Sequence, residues 1–287
     1  MNLNDLFVYS QYITPQHLLS RTAGKVADCE IQGFKNPLIN WFIKQYNVNM
    51  SEAELQSAED FKSFNDFFTR QLKADARTID ENPKAIISPV DGAISQLGSI
   101  QQGQIFQAKG QSFSIVELLG GDTERAQPFM GGDFATIYLA PKDYHRIHMP
   151  CAGTLREMVY IPGKLFSVNP VTAENVPRLF ARNERVAAIF DTEFGPMAMV
   201  LVGAMIVASI ETVWSGLVAP IQRDVKTTSY GPSSNEIKLE KGDEMGRFKL
   251  GSTVVLAFPP NATEFVESLK ATTDVQMGQT FGSITQP

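Results

Sequence analysis

Several kinds of protein are excluded by what this chain lacks. Only two cysteines occur among its 287 residues, Cys29 and Cys151, far apart and without CxxC spacing. Neither a disulfide framework nor a zinc site is therefore indicated, and a reducing compartment fits better. Basic residues are outnumbered, 25 Lys+Arg against 31 Asp+Glu for a net charge of −6, so nothing is available to displace counterions from a nucleic-acid backbone. Long apolar runs are missing as well. The longest, residues 196–208, has 13 members, against the ~20 of a membrane-spanning helix. Its Val200, Val202, Ile206 and Val207, with a helix-disfavouring Gly203, predict a buried strand. Residues 1–5 are polar, with Asn4 and Asp5 where a basic leader region would stand, so no cleavable targeting peptide is expected. The pentapeptide Gly-x-Ser-x-Gly of the α/β-hydrolase elbow does not occur.

What is present is an ordinary globular composition, 43% apolar and 20% charged, with enough chain for a sizeable core. The first fifty residues read as helices. Thr14 is placed to cap a helix with Pro15 at its first position, and Leu18, Leu19, Thr22, Ala23, Val26 and Ala27 repeat at a spacing of four. Residues 37–46 are apolar around most of a helix, with Lys44 as the one charge. Arg21, Lys25, Lys35 and Lys44 against Asp5, Asp28 and Glu30 give this region a net +1, opposite in sign to the whole chain. Such helices either pack on the core or a second subunit, or lie in an anionic membrane surface. A capping-box pattern at Ser51-Glu52-Ala53-Glu54 predicts a short polar helix, and Ser63 starts another that aligns Phe64, Phe67 and Phe68 on one face for core packing. Past Pro83 the texture changes to short β-branched runs between Gly, Pro, Asn and Asp turns. The expected fold class is α+β, with a helical region over 1–80 and a mainly antiparallel, barrel-sandwich-like β core over 81–287.

Within the β part, residues 86–94 read as strand, turn, strand, with Asp91-Gly92 as a hairpin tip or bulge. A strand over 135–140 ends in Pro141-Lys142-Asp143-Tyr144-His145-Arg146-Ile147-His148, which holds two of the three histidines. No cysteine or glutamate cluster accompanies them at metal spacing, so no metal is expected. Two histidines this close, in a chain with so few, point to acid/base chemistry near neutrality; His17, the third, reads as structural or interfacial. Asp91, one of these histidines and Ser252 supply an acid, a base and a hydroxyl, the set that activates a serine. Ser252 directly follows Gly251 in Phe248-Lys249-Leu250-Gly251-Ser252-Thr253-Val254-Val255. That stretch is open to two readings: a tight corner opening a strand, or a self-cleavage site at which the Ser252 hydroxyl attacks the Gly251 carbonyl.

The run Lys241-Gly242-Asp243-Glu244-Met245-Gly246-Arg247 leading into Phe248–Val254 resembles the processing site of bacterial-type, pyruvoyl-dependent phosphatidylserine decarboxylase proenzymes. Segments 64–70, 89–92, 143–150, 165–169, 182–186 and 202–207 resemble signatures of that family in the same order. A departure is Phe113, where the family more often has Tyr. The resemblance implies that Asp91 supports His148, that His148 deprotonates Ser252, and that cleavage at Gly251–Ser252 yields a β chain (1–251) and an α chain of 36 residues (252–287). It further implies a pyruvoyl group made from Ser252, which forms a Schiff base with phosphatidylserine, and His145 acting in decarboxylation and proton delivery. Ser167 becomes a candidate substrate contact. A homodimer of processed units and peripheral attachment at the cytoplasmic face of the bacterial inner membrane are implied likewise. Two rival readings remain from the residues alone: a hydrolase using Asp91, His148 and Ser252 on an external ester, and a noncatalytic β-rich binding module. Each predicts an intact chain.

Overall fold

The computed structural model describes residues 3–206, 209–219, 223–231, 236–249 and 252–285. Four helices come first: α1 (Leu3–Ile13), α2 (Gln16–Ala27), α3 (Gln32–Tyr46) and the short α4 (Phe64–Phe68). Thr14 does not cap α2 as expected. Its hydroxyl donates instead to Ser10 O at 2.7 Å, closing α1, and Pro15 precedes α2 with no side-chain cap. Helix α3 starts ahead of Pro37 and carries that proline inside it. The capping box at 51–54 is not formed either. Asn49, two residues earlier, accepts from Ser51 N at 3.2 Å and caps a single 3-10 turn, Met50–Glu52. Ser63 does cap α4, accepting from Asp66 N at 3.2 Å, and Phe64, Phe67 and Phe68 are buried with Ile39, Phe42 and Phe61.

Strands follow from Ala85 onward and pair antiparallel into open sheets, with no closed barrel among the described residues. At the centre of the largest, a nine-stranded sheet, runs Ser252–Phe258, between Asp133–Leu139 on one side and Gly195–Val202 on the other. Each of its residues is buried. The reason is the two-residue side-chain period of a strand. Val254, Leu256 and Phe258 face one apolar cluster, with Ile137, Leu139 and Leu201, while Val255 and Ala257 face another, with Val200, Val202 and Phe134. A strand covered on both faces reads as an unbroken apolar run, as 252–258 does. The strand expected over 196–208 is shorter than that, stopping at Val202. Gly203 N donates to Glu184 O at 2.9 Å and leaves the ladder; Val207 and Ala208 lie outside the described residues.

A smaller sheet of four strands has the order Gly216–Ala219, Ser209–Thr212, Glu244–Lys249, Arg146–His148. Ile147, Met149, Ile210, Met245 and Phe248 from it and its edge fill the same cluster as Val254 and Leu256, so the two sheets form layers around one core. Three neighbouring strands of the large sheet connect to three neighbouring strands of the small one in matching order. Leu139 leads to Arg146, Val202 leads to Ser209, and Lys249 leads to Ser252. The three crossings therefore gather at one edge.

A fourth crossing replaces the expected hairpin at Asp91-Gly92. Ala85–Ile87 pairs with Thr280–Ile284, whereas Gly92–Ser99 pairs with Asp133–Leu139 in a different sheet. The two flanking strands never meet, because each finds its partner in a distant part of the chain. Gly92 is required by closeness: a Cβ there would lie 2.4 Å from Tyr138 O. We expect Gly92→Ala to lower stability by roughly 1–3 kcal/mol, read as a drop of about 3–10 °C in a thermal melt. Gly33→Ala in the open interior of α3 should leave Tm unchanged or raise it slightly. Equal melting temperatures for Gly92→Ala and the parent would contradict this packing.

Candidate active site

Ser252 opens the central strand, opposite Leu139, and is fully buried. Its side chain shares a face with Val254 and Leu256, toward the small sheet. No hydrogen-bond partner meets its Oγ among the described residues. Gly251, the other half of the expected cleavage site, lies outside the described residues.

The two histidines reach this edge through the crossing from Leu139 to Arg146. Phe248 N donates to His145 O at 3.0 Å, which ties the histidine loop to the strand that runs toward Ser252. His145 is completely buried, its ring 4.0 Å from that of Phe68 on α4. Its Nδ1 is bonded to Asp143 O at 2.8 Å. A carbonyl only accepts, so Nδ1 carries the hydrogen and Nε2 keeps a lone pair. That Nε2 has no partner among the described residues. Burial, partly opposed by the Asp143 carbonyl and aided by the Arg70 charge, pulls its pKa down to about 3, so the ring is neutral.

His148 closes the strand Arg146–His148. Its Nδ1 donates to Gly242 O at 2.8 Å, by the same reasoning, and its Nε2 accepts from the Tyr144 hydroxyl at 3.0 Å. Burial holds its pKa below the usual histidine value; the Gly242 carbonyl and the charges of Glu244 and Asp91 work the other way. The backbone N–H of His148 donates to Pro89 O at 2.9 Å, which stitches the Pro89-Val90-Asp91 crossing to it.

Asp91 is thus near His148, yet no hydrogen bond joins the two among the described residues. The carboxylate accepts from Arg77 Nε at 3.0 Å, from Arg77 Nη2, and from Met277 N at 2.9 Å. Arg77 also reaches Glu52 at 2.9 Å. Three buried or half-buried charges are therefore linked, a network that the sequence did not disclose. Tyr144 was also missed as a partner of His148, although it stands within the histidine motif itself. Its hydroxyl is pushed up to about 12, mainly by burial, so it remains a donor.

Ser167 lies apart, half-buried, with its N–H donating to Gln11 Oε1 of α1 at 3.0 Å. Next to it, Leu165 N donates to Gln16 of α2 at 2.8 Å, and Asn183 brackets Phe166 from both sides. His17 is tied to Gly163 O at 3.0 Å, in keeping with a structural place. Phe113 packs on Phe180 at 5.8 Å among buried apolar residues.

Comparison with known proteins adds to this geometry. Residues 64–283 match the family described as Phosphatidylserine decarboxylase, and residues 6–47 match one described as PSD. The chain is 64% identical over 275 residues to the phosphatidylserine decarboxylase proenzyme of Pseudomonas fluorescens strain Pf0-1, covering 96% of each chain. It is 62% identical over 287 residues to that of Hahella chejuensis, covering all of this chain and 96% of the other. The chain belongs to the phosphatidylserine decarboxylase family. As a decarboxylase it is an enzyme, which sets aside the noncatalytic reading, and the family match over 64–283 spans Asp91, His145, His148, Ser167 and Ser252.

The buried histidine gives this decarboxylase a pH signature. Because the folded pKa of His145 lies below its unfolded value, the unfolded chain binds a proton between about 6.5 and about 3 that the folded protein does not. Stability therefore falls as pH drops through that window. Asp143, raised by burial to about 6, acts in the opposite sense, since the folded state holds its proton there. We expect His145→Gln, which keeps Asp143, to gain in Tm relative to the parent as pH is lowered from 7 to 5. A pH-independent difference between the two melts would contradict the neutral, buried ring.

Proposed function

We propose that this decarboxylase is a proenzyme that cuts itself between Gly251 and Ser252, and that Ser252 becomes the pyruvoyl group with which it converts phosphatidylserine to phosphatidylethanolamine and CO2. The observation that carries this reading is the Ser252 hydroxyl, buried without a partner at the head of the central strand. Buried hydroxyls are almost always satisfied, and an orphan at the edge where the chain also crosses through His145 and His148 is open to reaction. It also fits the group to be made, which needs a serine at a new chain end held in a dry interior.

In the first stage His148 Nε2 leaves the Tyr144 hydroxyl and takes the Ser252 proton as Oγ attacks the Gly251 carbonyl. The C–N bond breaks, the proton passes to the departing amine, and an ester links the two halves. Elimination across Cα–Cβ of Ser252 then releases the carboxylate of residue 251, and hydrolysis of the resulting enamine expels ammonia. Asp91 supports the protonated His148 by charge, held at its place by Arg77. The products, 1–251 and 252–287, remain one fold because Ser252–Phe258 is locked between two strands.

The pyruvoyl ketone supplies an electron sink for an amine-linked substrate that loses CO2. His145 suits the proton traffic of that stage. Its neutral Nε2 takes the proton of the substrate ammonium, freeing the amine, and returns a proton to the carbon that CO2 has left. A resting imidazolium could not do the first part; the buried ring rests neutral, with its Nε2 lone pair free. Ser167 is assigned to the outer part of the substrate, beside α1.

A lipid substrate requires contact with a bilayer. No helix among the described residues is long and apolar enough to cross one. Among the described residues, exposed large apolar side chains concentrate instead near the start of the chain, 13 of 18 falling within residues 6–55, among them Tyr9, Ile13, Leu18, Ile31, Phe34 and Trp41. We assign this face to the cytoplasmic surface of the inner membrane, and pairing of processed units into a homodimer to the same reading.

Two tests follow. His148→Ala should stay a single chain on a denaturing gel, whereas His145→Ala should cleave yet lose decarboxylation by about 10²-fold or more; failure of both to cleave would overturn the division of labour. Ile13→Ser with Trp41→Ser should weaken flotation with anionic vesicles by at least ~10-fold, since each side chain buries ~1.5–3 kcal/mol of apolar surface. Unchanged flotation would remove these helices from the membrane.

A further inference from the structure

Arg70 has an unusual position in the interior. It follows α4 and is only 4% exposed, with its guanidinium over the ring of Phe67 at 5.6 Å. Nη2 donates to Lys142 O at 2.9 Å and to Asp143 O at 3.3 Å. Nε and Nη1 are buried and have no hydrogen-bond partner among the described residues. No carboxylate comes within ion-pair distance among the described residues; Asp91 is held by Arg77, and Asp143 Oδ2 accepts from Ala140 N at 2.7 Å. Asp91, Asp143 and Glu52 favour its charge only from a distance, while burial opposes it and draws the pKa to about 10. The group is still a cation at neutral pH. A buried cation with two unused donors is costly to fold around and is kept where an anion comes to meet it.

Its neighbour tells which anion. Asp143 O is shared by Arg70 Nη2 and His145 Nδ1, so the guanidinium and the imidazole stand side by side. Phe248 N in turn donates to His145 O at 3.0 Å, so this pair adjoins the strand whose chain runs on to Ser252. We propose that Arg70 receives the carboxylate of phosphatidylserine, the group that is to leave as CO2. This rests on the reading of Ser252 as the group that captures the substrate amine. In the serine headgroup the carbon bearing the amine also bears the carboxylate, whereas the phosphate lies beyond a methylene and an ester oxygen. An anion delivered next to His145, with the amine held at Ser252, is therefore the carboxylate.

An ion pair of this kind acts on binding and not on the barrier. The carboxylate charge that Arg70 meets in the ground state disappears as CO2 forms, so the contact is weaker in the transition state than before it. Losing it raises KM and leaves kcat unchanged or higher. Around the same place the Phe67 and Phe68 rings supply the apolar surroundings in which a carboxylate gives up its charge more readily.

The test uses mature wild-type, Arg70→Gln and Arg70→Lys proteins, with chain cleavage read first by mass to show that each has folded. Cyanoborohydride then fixes lipid amines to the Ser252-derived chain end, and the adduct is titrated by mass against phosphatidylserine or phosphatidylethanolamine in mixed micelles. For Arg70→Gln we expect the half-saturating phosphatidylserine concentration and KM to rise at least tenfold, with kcat held, Arg70→Lys falling between, and the phosphatidylethanolamine titration unmoved. Equal weakening toward both lipids, which points to the phosphate or to a structural role, would overturn the proposal, as would a fall in kcat at constant KM. A wild-type chain that is cleaved but traps no amine, or that is never cleaved, refutes the reading of Ser252 itself.

Discussion

The burial of one strand on both faces governs the rest of this structure. Ser252–Phe258 has no solvent side, so its ladder must be satisfied by strands on either flank and its side chains by two separate apolar clusters. A chain that enters such a strand has to come from another layer. It does so from Glu244–Lys249 of the small sheet, and its neighbours make the same passage beside it. Bringing three crossings to one edge gathers polar residues that could not stay within either sheet. Reactive groups are then surrounded by core, and dryness comes with the topology.

Dryness has consequences for charge. His145 is neutral because burial outweighs the carbonyl that favours its charge. Arg77 faces Asp91 in an interior ion pair, with Glu52 completing the set. Asp143 and Tyr144 are both pushed toward their protonated forms. A site assembled this way can hold a neutral imidazole, a donating phenol and a fixed carboxylate within one loop and its neighbours. In water all of these would be screened and interchangeable.

Local signals in the sequence led to much of this. The helical opening, the Ser63 cap, the paired histidines and the apolar run after Ser252 depend on neighbours within a few residues, and each is read from spacing. What escaped depends on distant pairing. Asp91-Gly92 has the look of a hairpin tip, yet Ala85–Ile87 and Gly92–Ser99 belong to different sheets because Thr280–Ile284 and Asp133–Leu139 claim them. Thr14 and Ser51 had good capping chemistry and lost to a nearer acceptor and a nearer cap. Arg77 stood unremarked among surface-like residues, and Arg70 closed a family-like segment without any sign of its burial, since nothing in a sequence says which arginine will be folded inward. The resemblance to a family named the reactive residues; the structure adds the partners that hold them.

The central claim is that Ser252 is consumed by its own chain. A denaturing mass spectrum of freshly purified wild-type protein beside Ser252→Ala tests it most directly. The account predicts two wild-type chains split at Gly251–Ser252, the shorter with the mass of a pyruvoyl end that shifts on reaction with a hydrazide, and one intact chain for Ser252→Ala. A single intact wild-type chain under several folding conditions would contradict it, returning Gly251–Ser252 to an ordinary corner and leaving the decarboxylase to work by other means.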